Sequence, residues 1–434
     1  MIEHVKNILQ VPELRRRLLF TGLLLIVYRV GAHVPTPGVD PSALKALFES
    51  GGTIFGFADL FTGGALRRLS LFALGIMPYI SASIVFQLLA VVVPQLEKLQ
   101  KEGEQGRKRI NQYTRYATVA LAAVQAFGIA VGLEGMSQGA APAVSAPGWG
   151  FRLLTTITLT AGTIFLMWVG EQITERGIGN GISLLIFAGI VVRAPEAVQD
   201  LFRLYRVNEI NIVTVLLLLG GMVAVTAGVI FMYLGQRRIP VQYAKRVVGR
   251  RVYGGTTTHL PLRVNTAGVI PVIFASSIIA LPATFAQFVK HPWAETVKNA
   301  LAFGGLWYTL LYAAGIIFFT YFYTAIVFNP ADVAENMKKS GGFIPGIRPG
   351  QKTAEFVERV LDRITFVGAI YLAGISLLPE VLIVYFNVPF YFGGTSLLIV
   401  VGVALDTVQQ VESHLIMRHY EGFLKKGRVR GRLG

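Results

Sequence analysis

The chain contains no cysteine, which excludes disulfides, thiolate metal sites and a cysteine nucleophile. Its 6 histidines are scattered and form no His-Glu-x-x-His pair, so a zinc-hydrolase helix is excluded as well. Charged side chains are scarce, at 15% of 434 residues, and unequal in sign, with a net charge of +16. Against these shortages stands a hydrophobic share of 53%, too apolar for a soluble domain of this length. The composition predicts a polytopic membrane protein. Its basic excess predicts loops that face anionic lipid or an anionic partner.

Two glycine-rich stretches fail as nucleotide sites. In Gly346-Ile-Arg-Pro-Gly350-Gln351-Lys352-Thr353 a glutamine separates glycine from lysine, and no strand is predicted before it. Gly177-Ile-Gly179-Asn-Gly181 lies between two apolar runs, without the strand and acidic residue that a dinucleotide needs. No catalytic residues or cofactor site emerge, so any transport must draw its energy from outside the chain.

The organising stretch is Ile54 to Pro94, where hydrophobicity starts, breaks and restarts. Ile54 to Arg68 mixes Phe55, Phe57, Leu60 and Phe61 with Asp59, Gly63, Gly64, Arg67 and Arg68, too short and polar to span a bilayer. Ser70 to Val93 is long enough. Irregular backbone at membrane depth survives only where protein buries it or where it lines a water-filled cavity, so the break points to a transport path. The motif Gly75-Ile-Met-Pro78-Tyr-Ile80-Ser-Ala82-Ser83 recurs as Gly268-Val-Ile-Pro271-Val-Ile273-Phe-Ala275-Ser276.

Met1 to Arg17 reads as a short interfacial helix before Pro12. Arg15 to Arg17 and the apolar run after them also fit a signal peptide, with Val30-Gly31-Ala32 as a weak cleavage site, but Arg29 interrupts the run and favours a retained span from Leu18 to Val34. With Ser70 to Val93 as the second, further apolar runs at Tyr116 to Leu133, Leu153 to Gly170, Gly181 to Ala197, Ile212 to Leu234, Thr266 to Val289, Leu306 to Phe328, Ile364 to Phe386 and Ser396 to Val411 predict ten spans. Of the 40 Lys and Arg, 30 fall on one set of ends and loops and 9 on the other, which predicts both termini in the cytoplasm. The two copies of the motif then cross in opposite directions. That is the pattern of an inverted repeat, two five-span halves enclosing a central path. Pro78 and Pro271 are each expected to remove a helical hydrogen bond, freeing the carbonyls of Leu74 and Ala267 and kinking both helices.

Ile76 and Ile80 stand at i, i+4, as do Ile182 and Ile186, and Ile273 aligns with Ile80 in the repeat. A ring of branched aliphatics would close a pore to water and ions by dewetting, yet yield to something large. An isoleucine in a span ordinarily faces lipid or a neighbouring helix, so spacing by itself does not make a pore.

Several long segments, in order, carry a resemblance. They are Leu74-Gly-Ile-Met-Pro-Tyr-Ile-Ser-Ala-Ser-Ile-Val-Phe-Gln-Leu88, Leu166-Met-Trp-Val-Gly-Glu-Gln-Ile-Thr-Glu-Arg-Gly-Ile-Gly-Asn-Gly-Ile182, Gly249-Arg-Arg-Val-Tyr253, Thr258-His-Leu-Pro-Leu262, Phe343-Ile-Pro-Gly-Ile-Arg-Pro-Gly350 and Pro389-Phe-Tyr-Phe-Gly-Gly-Thr-Ser-Leu-Leu-Ile399. They resemble the SecY family, the central subunit of the bacterial protein-conducting channel, from the first span into the C-terminal tail.

The resemblance implies an all-α membrane domain of ten helices in two inverted halves, residues 1–200 and 201–414, with a basic tail at 415–434. It implies a plug helix at 54–68 and a pore ring of Ile76, Ile80, Ile182, Ile186, Ile273 and Ile399. A lateral gate would lie between spans two/three and seven/eight, with Gln87, Gln125 and Ser276 at it. In apolar helices such amides serve as interhelical hydrogen-bond glue, each contributing about 1 kcal/mol. The loop between spans six and seven, with Arg246, Arg250 and Arg251, reads as a hairpin turning near Gly249. The next basic loop presents Arg348 on a Gly/Pro tip before an amphipathic helix from Lys352. In the family these loops dock the ribosome and the SecA motor, whose phosphates or acidic surface suit arginine. SecE and SecG subunits, signal sequences, unfolded preproteins and anionic lipids are the other implied partners, in the plasma (inner) membrane.

Two other classes are open to a chain of this composition. A secondary transporter would place ionisable groups near mid-membrane, whereas Arg29, Glu380 and Asp406 are few and read as terminal to their spans. An intramembrane enzyme would need a nucleophile, metal ligands or paired acids in its spans, and none stands out.

Overall fold

The computed structural model describes residues 11–40, 59, 62–136, 144–207, 211–243, 246–248, 251–253, 257–288, 295–297, 300–301, 304–386 and 394–426. A helix occupies each of the ten apolar runs. In chain order the helices and strands are α1 (Pro12–Gly31), α2 (Met77–Val92), α3 (Pro94–Lys101), α4 (Glu104–Met136), α5 (Trp149–Arg176), α6 (Gly181–Val192), α7 (Ala194–Arg206), α8 (Ile212–Leu234), β1 (Gln236–Tyr243), β2 (Arg246–Val248), β3 (Arg251–Tyr253), β4 (Thr257–Arg263), α9 (Ile270–Phe288), α10 (Leu306–Val327), α11 (Pro330–Lys339), β5 (Gly342–Phe343), α12 (Gln351–Phe386) and α13 (Gly394–Lys426). Among the described residues seven helical segments are each long and apolar enough to cross a membrane, or eight if α2 and α3, bent by 99°, make one span. The fold is that of a polytopic α-helical membrane protein.

The chain packs as two compact units. One is Met1–Gln199 with Leu281–Lys298 and Ile399–Gly434; the other is Asp200–Ala280 with Asn299–Leu398. In the first, α4 lies along α5, and α2 packs on both. Arg115 on α4 forks onto Glu171 on α5 through two 2.8 Å bonds, and Arg152 pairs with Glu134 at 2.7 Å where the same two helices meet again. Ion pairs of this two-pronged kind fix the register of one helix on another as well as adding attraction.

In the second unit α12 packs on α10 and α11. Its basic loops contain more regular structure than the single hairpin expected from the sequence. That hairpin is present, with Arg246 opposite Tyr253 and Val248 opposite Arg251. Beside it a three-stranded sheet runs β4-β1-β5, with β1 antiparallel to both neighbours. Along β1 only Ile239 and Val241 are buried, the period-2 signature of a strand with one covered face. They join Leu262, Met337, Ile344, Val357 and Val360 in a small core between sheet and helices. Leu262→Ala is expected to cost this core about 2–5 kcal/mol, the range for emptying a buried leucine site. Proteolysis of the loops in membrane vesicles would read it as faster cleavage within residues 236–263.

The structure corrects the reading of the repeated motif. Ser70 to Ile76 is a chain of turns, and α2 begins only at Met77, so Pro78 stands in the first helical turn. Pro271 holds the same place in α9. A first-turn N–H has no helical partner in any case, so these prolines start helices and do not kink them. Gly75 and Gly268, three residues before each proline, both adopt left-handed backbone, with φ of 57° and 63°. Pro282 of α9, in contrast, stands inside its helix. The two motifs therefore share a backbone form, a left-handed glycine turn delivering a proline-started helix.

Candidate functional site

The pore candidates are set on helix starts and helix faces. Ile76 caps α2, and the Ile80 N–H donates to its carbonyl at 3.1 Å, which puts the two side chains one turn apart. Ile182 and Ile186 make the same pair on α6. Asn180 fixes where that helix begins, because its side chain accepts from the Ile182 and Ser183 N–H groups at 3.1 and 3.3 Å. The failed dinucleotide motif thus has a structural role. Its Ile178 N–H donates to Thr21 of α1 and its Gly179 N–H to Gln410 of α13, while Ile178 packs with Leu14 and Val411. Ile273 lies on α9 in the second unit, and Ile399 on α13 in the first.

Burial decides between lipid and interior for these side chains. In the isolated chain a lipid-facing residue is exposed, as Phe231 is at 78%. None of Ile76, Ile80, Ile186, Ile273 and Ile399 exceeds 5%. Ile182 is half-buried. Five of the six candidates therefore face protein.

Two of the three gate candidates bond within their own helices. Gln87 donates to Ser83, one turn back on α2, at 3.1 Å. Ser276 donates to the Ile273 carbonyl at 2.9 Å, where Ser277 also donates at 2.8 Å. Partners three or four residues back in the same helix are always within reach, so these groups are satisfied locally. Gln125 is buried on α4. Of the docking arginines, Arg250 lies outside the described residues, as do Ile54–Ala58 and Leu60–Phe61 of the proposed plug. Arg246 and Arg251 belong to the described strands β2 and β3, but their side chains do not. Arg348 is exposed on its tip, and Thr353 at the start of α12 donates to its carbonyl at 3.0 Å.

One site was not anticipated. Asp59, read from sequence only as a polar interruption, is fully buried, with Arg67 at 3.0 Å and Arg193 at 3.2 Å from its carboxylate. Arg29 is not merely terminal to its span: it donates to the Gly63 carbonyl at 2.8 Å. A lone acid among Phe57, Leu60 and Phe61 was the available signal, but nothing local names its partner.

Residues 70–408 match the SecY family model. The chain belongs to the SecY family. It is 54% identical over 424 residues to the protein translocase subunit SecY of Pseudomonas aeruginosa, covering 96% of this chain and 95% of the relative. The SecY subunit of Escherichia coli is 52% identical, covering 96% of each. Among solved structures, one described as a protein conducting channel superposes with a TM-score of 0.66 at 18% identity, covering 96% of this chain and 95% of that one. A canine Sec61 chain from a ribosome-channel complex superposes at 0.63, also at 18% identity, over 96% and 95%. As a SecY-family member the chain is a subunit of the protein translocase, a membrane channel and not an enzyme.

Proposed function

We propose that this chain forms the conduit of the translocase, passing unfolded secretory polypeptides through a ring of Ile76, Ile80, Ile182, Ile186, Ile273 and Ile399. The burial of five of these side chains carries the reading, because it sets them against protein where isolated aliphatics on a span would meet lipid. Branched alkyl groups offer water no hydrogen bonds, so a narrow ring of them closes by dewetting and has no fixed ligand to hold a passing chain. The paired Gly75 and Gly268 turns support two inverted halves, 1–200 and 201–414, followed by the tail at 415–434. Residues 54–68 act as the plug. A signal sequence opens a seam between spans two/three and seven/eight, where Gln87, Gln125 and Ser276 lie, and membrane segments leave through it.

The basic loops dock the source of energy. Exposed Arg348, on a tip held by Thr353, docks the SecA motor or the ribosome, together with Arg246, Arg250 and Arg251 of the basic loop between α8 and α9. The lysine and arginine distribution orients both termini to the cytoplasmic face of the plasma membrane, beside anionic lipid. SecE and SecG complete the complex.

The absence of cysteine makes the test clean. Single cysteines at Ile80, at Ile273 and, as a control, at Leu25 of α1 are to be probed against a secretory chain stalled in transit. Crosslinks at the first two and not at Leu25 are expected. Stalled chains that reach none of them, with a small solute still transported, would replace the conduit by a secondary transporter.

A further inference from the structure

The segment after Asp59 is tethered to two membrane helices through groups that the pore ring and the docking loops do not use. At the end of α1, Tyr28 donates to the Thr62 carbonyl at 3.3 Å and Arg29 to the Gly63 carbonyl at 2.8 Å. Just past the end of α6, Arg193 reaches Asp59 at 3.2 Å. Asp59 in turn organises its own segment. Its Oδ1 accepts from the Arg67 N–H at 3.2 Å and from the Thr62 hydroxyl at 3.3 Å, and its Oδ2 faces the Arg67 guanidinium at 3.0 Å. Backbone meets backbone beside this cluster. Gly63 has φ of 63°, and a Cβ there would come within 2.8 Å of the Gly189 Cα on α6. Only glycine permits this seat.

We propose that Asp59, Arg193 and Arg67 form an ionic latch that holds Asp59 and the turn at 62–67 against α6 in the resting channel. The proposal rests on reading residues 54–68 as a plug. Its physical basis is a buried carboxylate shared by two cations. One of them, Arg67, belongs to the segment itself and travels with it, whereas Arg193 belongs to the helical frame. The ion pair that must break when the plug leaves is therefore Asp59 to Arg193, along with the hydrogen bonds from Tyr28 and Arg29 to the Thr62 and Gly63 carbonyls. Its approach is that of an ion pair without the alignment of a hydrogen bond, so attraction depends on the dielectric around it. In a dry, closed site the pair is strong. Water admitted by the first opening weakens it several-fold, so release is self-reinforcing. Arg29, holding a carbonyl instead of a charge, positions the turn.

The test uses the whole complex in membrane vesicles and two readouts of opposite sign. A latch variant lowers the cost of opening, so it should raise the resting ion permeability by roughly tenfold and admit a preprotein whose signal sequence is too weak for the unaltered channel. A variant that merely damages the fold would lower translocation. Asp59→Asn should show both gains, Arg193→Gln the same gains, and Arg193→Lys, which keeps the charge, neither. The double variant Asp59→Asn/Arg193→Gln should leak no more than Asp59→Asn, because each change breaks the same contact. If Asp59→Asn fails to accumulate, Arg193→Gln decides, since it leaves Asp59 paired with Arg67. Deletion of residues 54–68 separates the two ideas. No rise in permeability on deletion sinks the plug and the latch together. A rise on deletion with none in Arg193→Gln leaves the plug and overturns the latch.

Discussion

Channels carrying Ile80→Asn together with Ile273→Asn are expected to leak ions at rest by at least about a hundredfold more than the unaltered protein. A dewetted constriction excludes ions because water gains no hydrogen bonds from alkyl walls. Each asparagine replaces one such wall with an amide that keeps water in place. Amide hydration relative to an apolar surrounding is worth roughly 1–3 kcal/mol, or about tenfold per substitution. The effect should require both the size and the polarity of the change. Ile→Leu at the same positions keeps an apolar wall of similar volume and should leave the seal intact. Conductance of reconstituted complexes, measured with no preprotein present, is the direct assay. Equal leak in the asparagine and leucine variants would remove these two residues from the seal.

Reversing the charge at the basic tip should be the second large effect. Arg348→Glu is expected to cut motor-driven import into vesicles by about thirtyfold, while the amount of complex stays constant. The backbone at this position is held by the Thr353 hydroxyl, which donates to the Arg348 carbonyl whatever the side chain. The substitution therefore alters the surface and not the loop. Losing one desolvated charge pair at a docking interface costs about 2–5 kcal/mol, and the lower end corresponds to thirtyfold in affinity. Arg348→Lys should retain part of the activity, because it keeps the charge but loses the planar fork. Import at the unaltered rate in Arg348→Glu would show that the tip is basic only for topology.

Much of the fold is legible in sequence because lipid is an undemanding partner. A run such as Ile212–Leu234 needs only length and apolarity to become a helix, since its backbone bonds close within the segment. The repeated Gly-x-x-Pro motif is legible as a repeat but not as a geometry. Proline at a helix start and proline within a helix differ only in where the preceding turn ends, and here a left-handed glycine lies in that turn. The sheet β4-β1-β5 was missed for a related reason. Its strands lie in the basic loops, where alternation is brief, and Gln236 meets Arg263 only after the chain has passed through the β2–β3 hairpin.

The candidate site divides along the same line. Ile76, Ile80, Ile182, Ile186, Ile273 and Ile399 are named by position within long motifs, and their burial is a property that no motif states. Gln87 and Ser276 were named by the family resemblance as gate positions, yet their partners proved to be nearby groups on the same helix. Asp59 went the other way. It looked like one more polar interruption, and it anchors a cluster whose decisive member, Arg193, lies far along the chain beyond α5 and α6.

By itself, then, the amino-acid sequence determined the membrane class, the order of the helical runs, the basic loops and the SecY family, all of which follow from local apolarity, charge count and contiguous motifs. The tertiary structure alone decided which side chains are buried, where the second and ninth helices begin, and which charges meet. Those depend on segments remote in sequence closing on one another, and Coulomb attraction between Asp59 and Arg193 exists only once folding has brought them to 3.2 Å.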